Sequence, residues 1–266
     1  MLYQRVITGL LFLPVFYLFA WKLPPVYFTA LVMVAAAVGQ YEFYGMARAR
    51  GARPLRILGL ACGSVIILEF YRPLFPGLGP FFIVTVAVLS IMVARLFSRH
   101  PVDGAVEDVA TTCLGVFYAA LLFAYLVAIR TGVDGKEWLV FLFFIIWASD
   151  IGAYSIGIPF GRHRLYEKIS PKKSIEGLAG ALAASAGMAL ICRIWFMPTV
   201  GMGEAVGIAL LLALVGTVGD LAESMFKRAA GIKDSGVVIP GHGGMLDRMD
   251  SMLFAAPVLY YYLRLR

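Results

Sequence analysis

An all-α transmembrane bundle of about nine spans, with its N-terminus cytosolic and its C-terminus outside, is the fold this sequence predicts, and three observations predict it. The first is composition. The chain is 61% hydrophobic and 15% charged with a mean hydropathy of +0.85. A soluble domain holds about 45–50% apolar and about 25% charged residues. The excess is too large for one buried core and fits a chain whose solvent is lipid. The second is recurrence: apolar runs of about 15–22 residues repeat along the chain, and a helix needs about 20 to cross a bilayer. The third is the uneven placement of lysine and arginine.

The runs fall at 5–21, 25–46, 57–70, 78–96, 111–130, 138–158, 177–197, 203–221 and 250–264. The first follows Arg5 and has no small-x-small cleavage site, since Ala20 is succeeded by Trp21 and Lys22. It reads as a retained membrane helix rather than a signal peptide. The runs at 57–70 and 250–264 are short for a span. Pro24, Pro25, Pro73, Pro76, Pro171 and Pro198 lie at or between the ends, as helix breakers should. No linker, internal repeat or low-complexity tract divides the chain. It reads as a single membrane domain, 1–266. Residues 1–110 hold the N-terminal helices, and 111–266 hold the C-terminal helices with polar loops at 159–176 and 222–249.

The formal net charge is +7. In a soluble protein this would raise nucleic acid as a partner; here it fits basic loops kept on the cytosolic side. With the N-terminus inside, that side holds Arg5, Arg48, Arg50, Arg53, Arg56, Arg95 and Arg99, and the basic residues of both long polar loops. Cys62, Cys113 and Cys192 each stand alone in an apolar stretch. Their number and spacing give neither a disulfide framework nor a zinc site.

The densest polar stretch is 224–250, between two spans. It holds Lys227, Arg228, Lys233, Asp234, His242, Asp247, Arg248 and Asp250. If the last helix begins near Met245, Asp247 and Asp250 share a face. Two carboxylates on one face suit a hard divalent cation such as Mg²⁺, which also takes phosphate oxygens and water. The alternative is acidic charge at a helix N-terminus, favourable to the dipole. Asp220 ends an apolar span, where an ionisable group is costly and a functional candidate by default. Ser224, one turn later, adds a hydroxyl to that face. Gly241, His242, Gly243 and Gly244 make a turn whose backbone N–H groups can approach an anion, or which simply turns. His242 polarises a phosphate or caps the turn. Lys227, Arg228 and Lys233 suit phosphate or anchor the membrane side.

Upstream, Asp150 falls late in a span and reads as a further metal ligand or a hydrogen-bonding residue between helices. Lys172, Lys173, Ser174 and Glu176 sit at a helix start, with Ser174 suited to the N-cap. They contact phosphate or nucleotide in the functional reading. Arg162, His163 and Arg164 read as the basic inside loop.

At 224–250 the sequence resembles the phosphatidate cytidylyltransferase (CDP-diacylglycerol synthase) family. That signature runs Ser, two residues, Lys-Arg, four residues, Lys-Asp, then His-Gly-Gly, two residues, Asp-Arg, one residue, Asp. Ser224, Lys227, Arg228, Lys233, Asp234, His242, Gly243, Gly244, Asp247, Arg248 and Asp250 fill those positions without departure. The SDIGAY and SPKKSIEG stretches are similar too, whereas up to about residue 140 only hydropathy and span order match. The resemblance implies transfer of CMP from CTP to phosphatidate, giving CDP-diacylglycerol and pyrophosphate. It implies metal at Asp220, Asp247 and Asp250 with Ser224, and catalytic roles for Lys227, Arg228, Lys233, His242 and Arg248. Substrate contacts fall to Lys172, Lys173, Ser174, Glu176, Asp234, Gly243 and Gly244. Mg²⁺, CTP, phosphatidate, a bilayer and a homodimer are the implied cofactor and partners. The inner (plasma) membrane is the implied location, with the site facing the cytosol. Two rival classes remain at this point: a CTP-dependent lipid-alcohol kinase, and an ion-coupled transporter using Asp150 and Asp220.

Overall fold

The computed structural model describes residues 14–236 and 243–266. Its order is α1 (Pro25–Arg48), α2 (Arg56–Tyr71), α3 (Gly79–Leu96), α4 (Ala105–Thr131), α5 (Gly135–Phe160), a hairpin of β1 (Arg164–Tyr166) and β2 (Ser170–Ser174), α6 (Ile175–Trp195), α7 (Met202–Ala230) and α8 (Leu246–Leu265). A short π-helical piece, Leu18–Lys22, precedes α1. Most of the predicted 5–21 span lies outside the described residues.

Among the described residues, α1, α3, α4, α5, α6 and α7 are long and apolar enough to cross a membrane. The predicted 57–70 span is the helix α2, at 16 residues shorter than a full crossing. The predicted 250–264 span lies within α8, which begins at Leu246 and carries Asp247, Arg248, Asp250 and Arg264. The fold is therefore an all-α membrane protein with one small β element. That hairpin is the departure from the expected loop at 159–176. Its strands are too short for a period-2 pattern, and Pro171 within β2 argues against a strand except at an edge.

The chain packs as two compact units. The first comprises residues 1–131 and 229–248, the second 132–228 and 249–266.

In the first unit, α1, α2 and α4 approach closely through small residues. A Cβ on Gly63 would come within 2.7 Å of the Ala120 Cβ, and one on Gly59 within 2.2 Å of the Tyr44 hydroxyl. Tyr44 fills that space, and its hydroxyl donates to the Thr112 carbonyl at 3.0 Å. Gln40 donates to the Gly59 carbonyl at 3.0 Å. With no water in the hydrocarbon, such groups must find partners inside the protein. At the ends of α3 and α4 the buried Asp108 takes Arg95 Nε at 2.9 Å on one oxygen and the Arg53 amide at 2.6 Å on the other.

In the second unit, α5 and α6 touch backbone to backbone at Gly152 and Gly180. A Cβ on Gly152 would meet the Gly180 carbonyl oxygen at 2.4 Å, and the reverse contact would be 2.6 Å. This is the small-residue packing that membrane helices use in place of a hydrophobic drive. Near the start of α7 and the end of α8, Glu204 accepts from the Tyr262 hydroxyl at 2.5 Å and pairs with Arg266 at 2.8 Å.

Candidate functional site

Sequence-predicted residues gather in both units. In the second, α7 supplies Asp220, Glu223, Ser224 and Lys227, β2 supplies Lys173, α5 supplies Asp150, and α8 supplies Asp250. Glycines make the approach. A Cβ on Gly219 would lie 2.6 Å from the Asp250 carbonyl oxygen, and one on Gly216 would lie 2.9 Å from Ile146 Cδ1. With only hydrogens there, α7 reaches α8 and α5 at the level of the acids. Asp220, Glu223 and Asp150 all fall within coulombic reach of Asp250.

Cations answer part of that charge. Lys173 Nζ meets Asp220 Oδ2 at 2.6 Å, with both side chains partly exposed. Lys227 Nζ meets the fully buried Glu223 at 2.5 Å, one helical turn apart. The Ser224 hydroxyl donates to Asp220 Oδ1 at 3.3 Å. Among the described residues, no group of three or more His, Cys, Asp or Glu side chains is arranged to hold a metal ion. Asp220 and Asp250 offer the carboxylate oxygens that a hard divalent cation such as Mg²⁺ takes alongside water and substrate phosphates.

The rest of this group is held from β2 and α6. Ser174 caps α6 by accepting the Gly177 amide at 3.1 Å, as its sequence position predicts. Glu176, in the first turn, turns back to the 161–163 segment: it accepts the Arg162 amide at 3.1 Å and meets His163 Nδ1 at 2.6 Å. Lys172 is exposed, and Arg228 reaches the Ile169 carbonyl at 3.4 Å.

In the first unit, Asp247 takes three donors on Oδ2: the Ser235 amide at 2.8 Å, the Ser235 hydroxyl at 2.9 Å and the Gly244 amide at 2.8 Å. This carboxylate therefore shapes the segment that opens α8. Gly243 stands at φ +83°, with Asp247 Oδ2 only 2.9 Å from where a Cβ would sit, so both conformation and space call for glycine. Lys233, Asp234 and Arg248 are exposed. Gly241 and His242 lie outside the described residues.

Three participants escaped the sequence reading. Glu42 of α1 is buried and bonded to the 243–247 segment. Ser235 stands between Glu42 and Asp247. Glu223 holds Lys227. A signal existed for Glu42, an ionisable residue inside an apolar run, and for Glu223, an acid one turn before a lysine.

The fold and these groups define a polytopic membrane protein whose carboxylates and lysines gather where apolar helices meet polar segments. The chain belongs to the cytidylyltransferase family, whose sequence model matches residues 3–266. It is 34% identical to a phosphatidate cytidylyltransferase of Synechocystis sp., over 89% of this chain and 88% of that protein. It is 32% identical to the phosphatidate cytidylyltransferase of Bacillus subtilis, over 98% of this chain and 97% of that one. A Staphylococcus saprophyticus protein of the same name is 39% identical over 57% of this chain and 58% of its own length.

Proposed function

We propose that this protein is a phosphatidate cytidylyltransferase, joining CTP and phosphatidate to give CDP-diacylglycerol and pyrophosphate. The observation that carries the reading is the acid group of the second unit, Asp220 and Asp250 with Asp150 and Glu223, set against Lys173 and Lys227. In the reaction an oxygen of the lipid phosphate bonds to the α-phosphorus of CTP while the bond to the β-phosphate oxygen breaks. No covalent enzyme intermediate is needed. A lipid phosphate is already ionised near neutral pH, so positioning and charge neutralisation do the work.

Asp220 and Asp250, with Ser224, would hold Mg²⁺, and Asp247 is assigned the same role by the signature. The ion supplies a Lewis acid that neutralises phosphate charge. Lys173 and Lys227 point positive charge at the phosphates, Lys173 from a partly exposed pair and Lys227 from a buried one. Lys172, Arg228, Lys233 and Arg248 bring further positive charge to the triphosphate and the leaving pyrophosphate. His242 is assigned to the same phosphates. Ser174 and Glu176 fix the β2–α6 junction that presents Lys173.

A nine-span chain in the inner (plasma) membrane, N-terminus and site toward the cytosol, belongs to the same proposal. CTP is water-soluble, while two acyl chains leave a bilayer only at high cost. A homodimer is part of it too, testable by cross-linking in native membranes.

The test is a product assay on purified protein with CTP, phosphatidate and Mg²⁺. Pyrophosphate and CDP-diacylglycerol in equal amounts are expected. Release of CDP with phosphorylation of a lipid alcohol would instead make the protein a kinase, and no CTP turnover would refute both enzymatic readings.

A further inference from the structure

Glu42 lies in the apolar helix α1 and is only 5% exposed. A carboxyl group so placed needs hydrogen-bond partners, and Glu42 finds them far along the chain. The Met245 amide donates to Oε1 at 2.9 Å and the Leu246 amide to Oε2 at 3.0 Å. The Ser235 hydroxyl lies 3.2 Å from Oε2, and the same hydroxyl lies 2.9 Å from Asp247 Oδ2. A hydroxyl has one proton, so Ser235 donates to one carboxylate at a time and links the two. Glycines are spaced around this contact. A Cβ on Gly236 would lie 2.6 Å from Glu42 Oε1, and one on Gly244 would lie 2.7 Å from both Glu42 oxygens. A Cβ on Gly39, one turn before Glu42, would lie 3.0 Å from Leu246 Cδ2. The first turn of α8 is thus seated on α1, with the Glu42 carboxylate as its fastening.

We propose that Glu42 is a positioning residue: its two oxygens hold the backbone of Met245 and Leu246 and, through Ser235, set the orientation of Asp247. It acts through the segment it holds. The role for turnover rests on the cytidylyltransferase reading, whereas the hold on the segment does not.

Wild type and E42Q are purified in lipid nanodiscs and compared by hydrogen exchange and by steady-state kinetics with CTP and phosphatidate. The glutamine keeps the shape and gives up one acceptor. Exchange at 243–247 is expected to quicken about tenfold, while exchange in α5 and α6 stays unchanged. The kcat is expected to fall on the order of 10-fold to 100-fold, with KM for both substrates within about threefold. E42D, which retains both oxygens, should recover part of kcat. A merely structural role would quicken exchange and lower the melting point without this split between kcat and KM. Unchanged exchange in E42Q, or a kcat within about twofold of wild type, overturns the proposal. Should E42Q fail to insert, G236A presses a methyl into Glu42 from outside the signature; full kcat in G236A overturns the proposal equally. If wild type itself turns over no CTP, the enzymatic reading fails, and the exchange data still decide whether Glu42 holds the segment.

Discussion

Acids in the two units keep different company. In the first unit, Glu42 and Asp247 accept from backbone amides and a serine hydroxyl. In the second, Asp220 and Glu223 meet lysines, and Asp250 meets the fields of three other carboxylates. Neutral donors fix a carboxylate and the segment that carries it in one geometry. Charge pairs such as Lys173–Asp220 can trade partners when a cation or a phosphate arrives. The first arrangement holds a segment in place, and the second is the one on which the proposed chemistry rests.

Substitutions can break this contrast. The largest effect is expected at the scaffold end, from Asp108→Ala. It strips the buried Arg95 of its carboxylate partner and the Arg53 amide of its acceptor, and removing one partner of a buried pair costs about 3–5 kcal/mol. Thermal unfolding in detergent should show that loss, while whatever folds should keep its kcat. A kcat that collapses with stability intact would erase the distinction. Next come Asp220→Asn and Asp250→Asn. Each should lower CMP incorporation by about 10²–10³-fold with insertion intact, the scale of removing a group that stabilises charge in the transition state. Turnover near wild type in either would take that acid out of the site. Lys173→Met should be milder, about 10-fold in kcat/KM, since its pair with Asp220 is partly exposed. An unchanged value would make Lys173 a neutraliser of Asp220 and no more. The smallest effect is expected from Ser174→Ala, which deletes the α6 cap for about 1 kcal/mol. It should move the melting point slightly and KM hardly at all.

The helices were largely legible, because lipid imposes length and hydropathy on each one separately. The runs at 25–46, 78–96, 138–158 and 177–197 correspond to α1, α3, α5 and α6 within a few residues. The α4 helix begins earlier than its apolar run, at Ala105, because Asp108 is taken into the protein by Arg95 and the Arg53 amide rather than left to water. The hairpin at 164–174 could not be read: its strands are short and polar and contain Pro171. Within the candidate site, the sequence pointed to Asp220, Ser224 and Lys227 but passed over Glu223, because helix neighbours matter only once one knows which face is buried. Ser174 was readable as a cap, a local matter of three residues.

What the sequence determined by itself is whatever depends on a residue and its near neighbours: apolar spans, their breaks, the cap at Ser174, and a polar pattern specific enough to mark a family. Tertiary structure alone decided which acids lie near one another, that Glu42 fastens residues some two hundred positions away, and why Gly244 and Gly219 must lack side chains. Coulombic and hydrogen-bonding energies act through a few ångströms of space, and separation along the chain carries no information about that distance until the helices have packed.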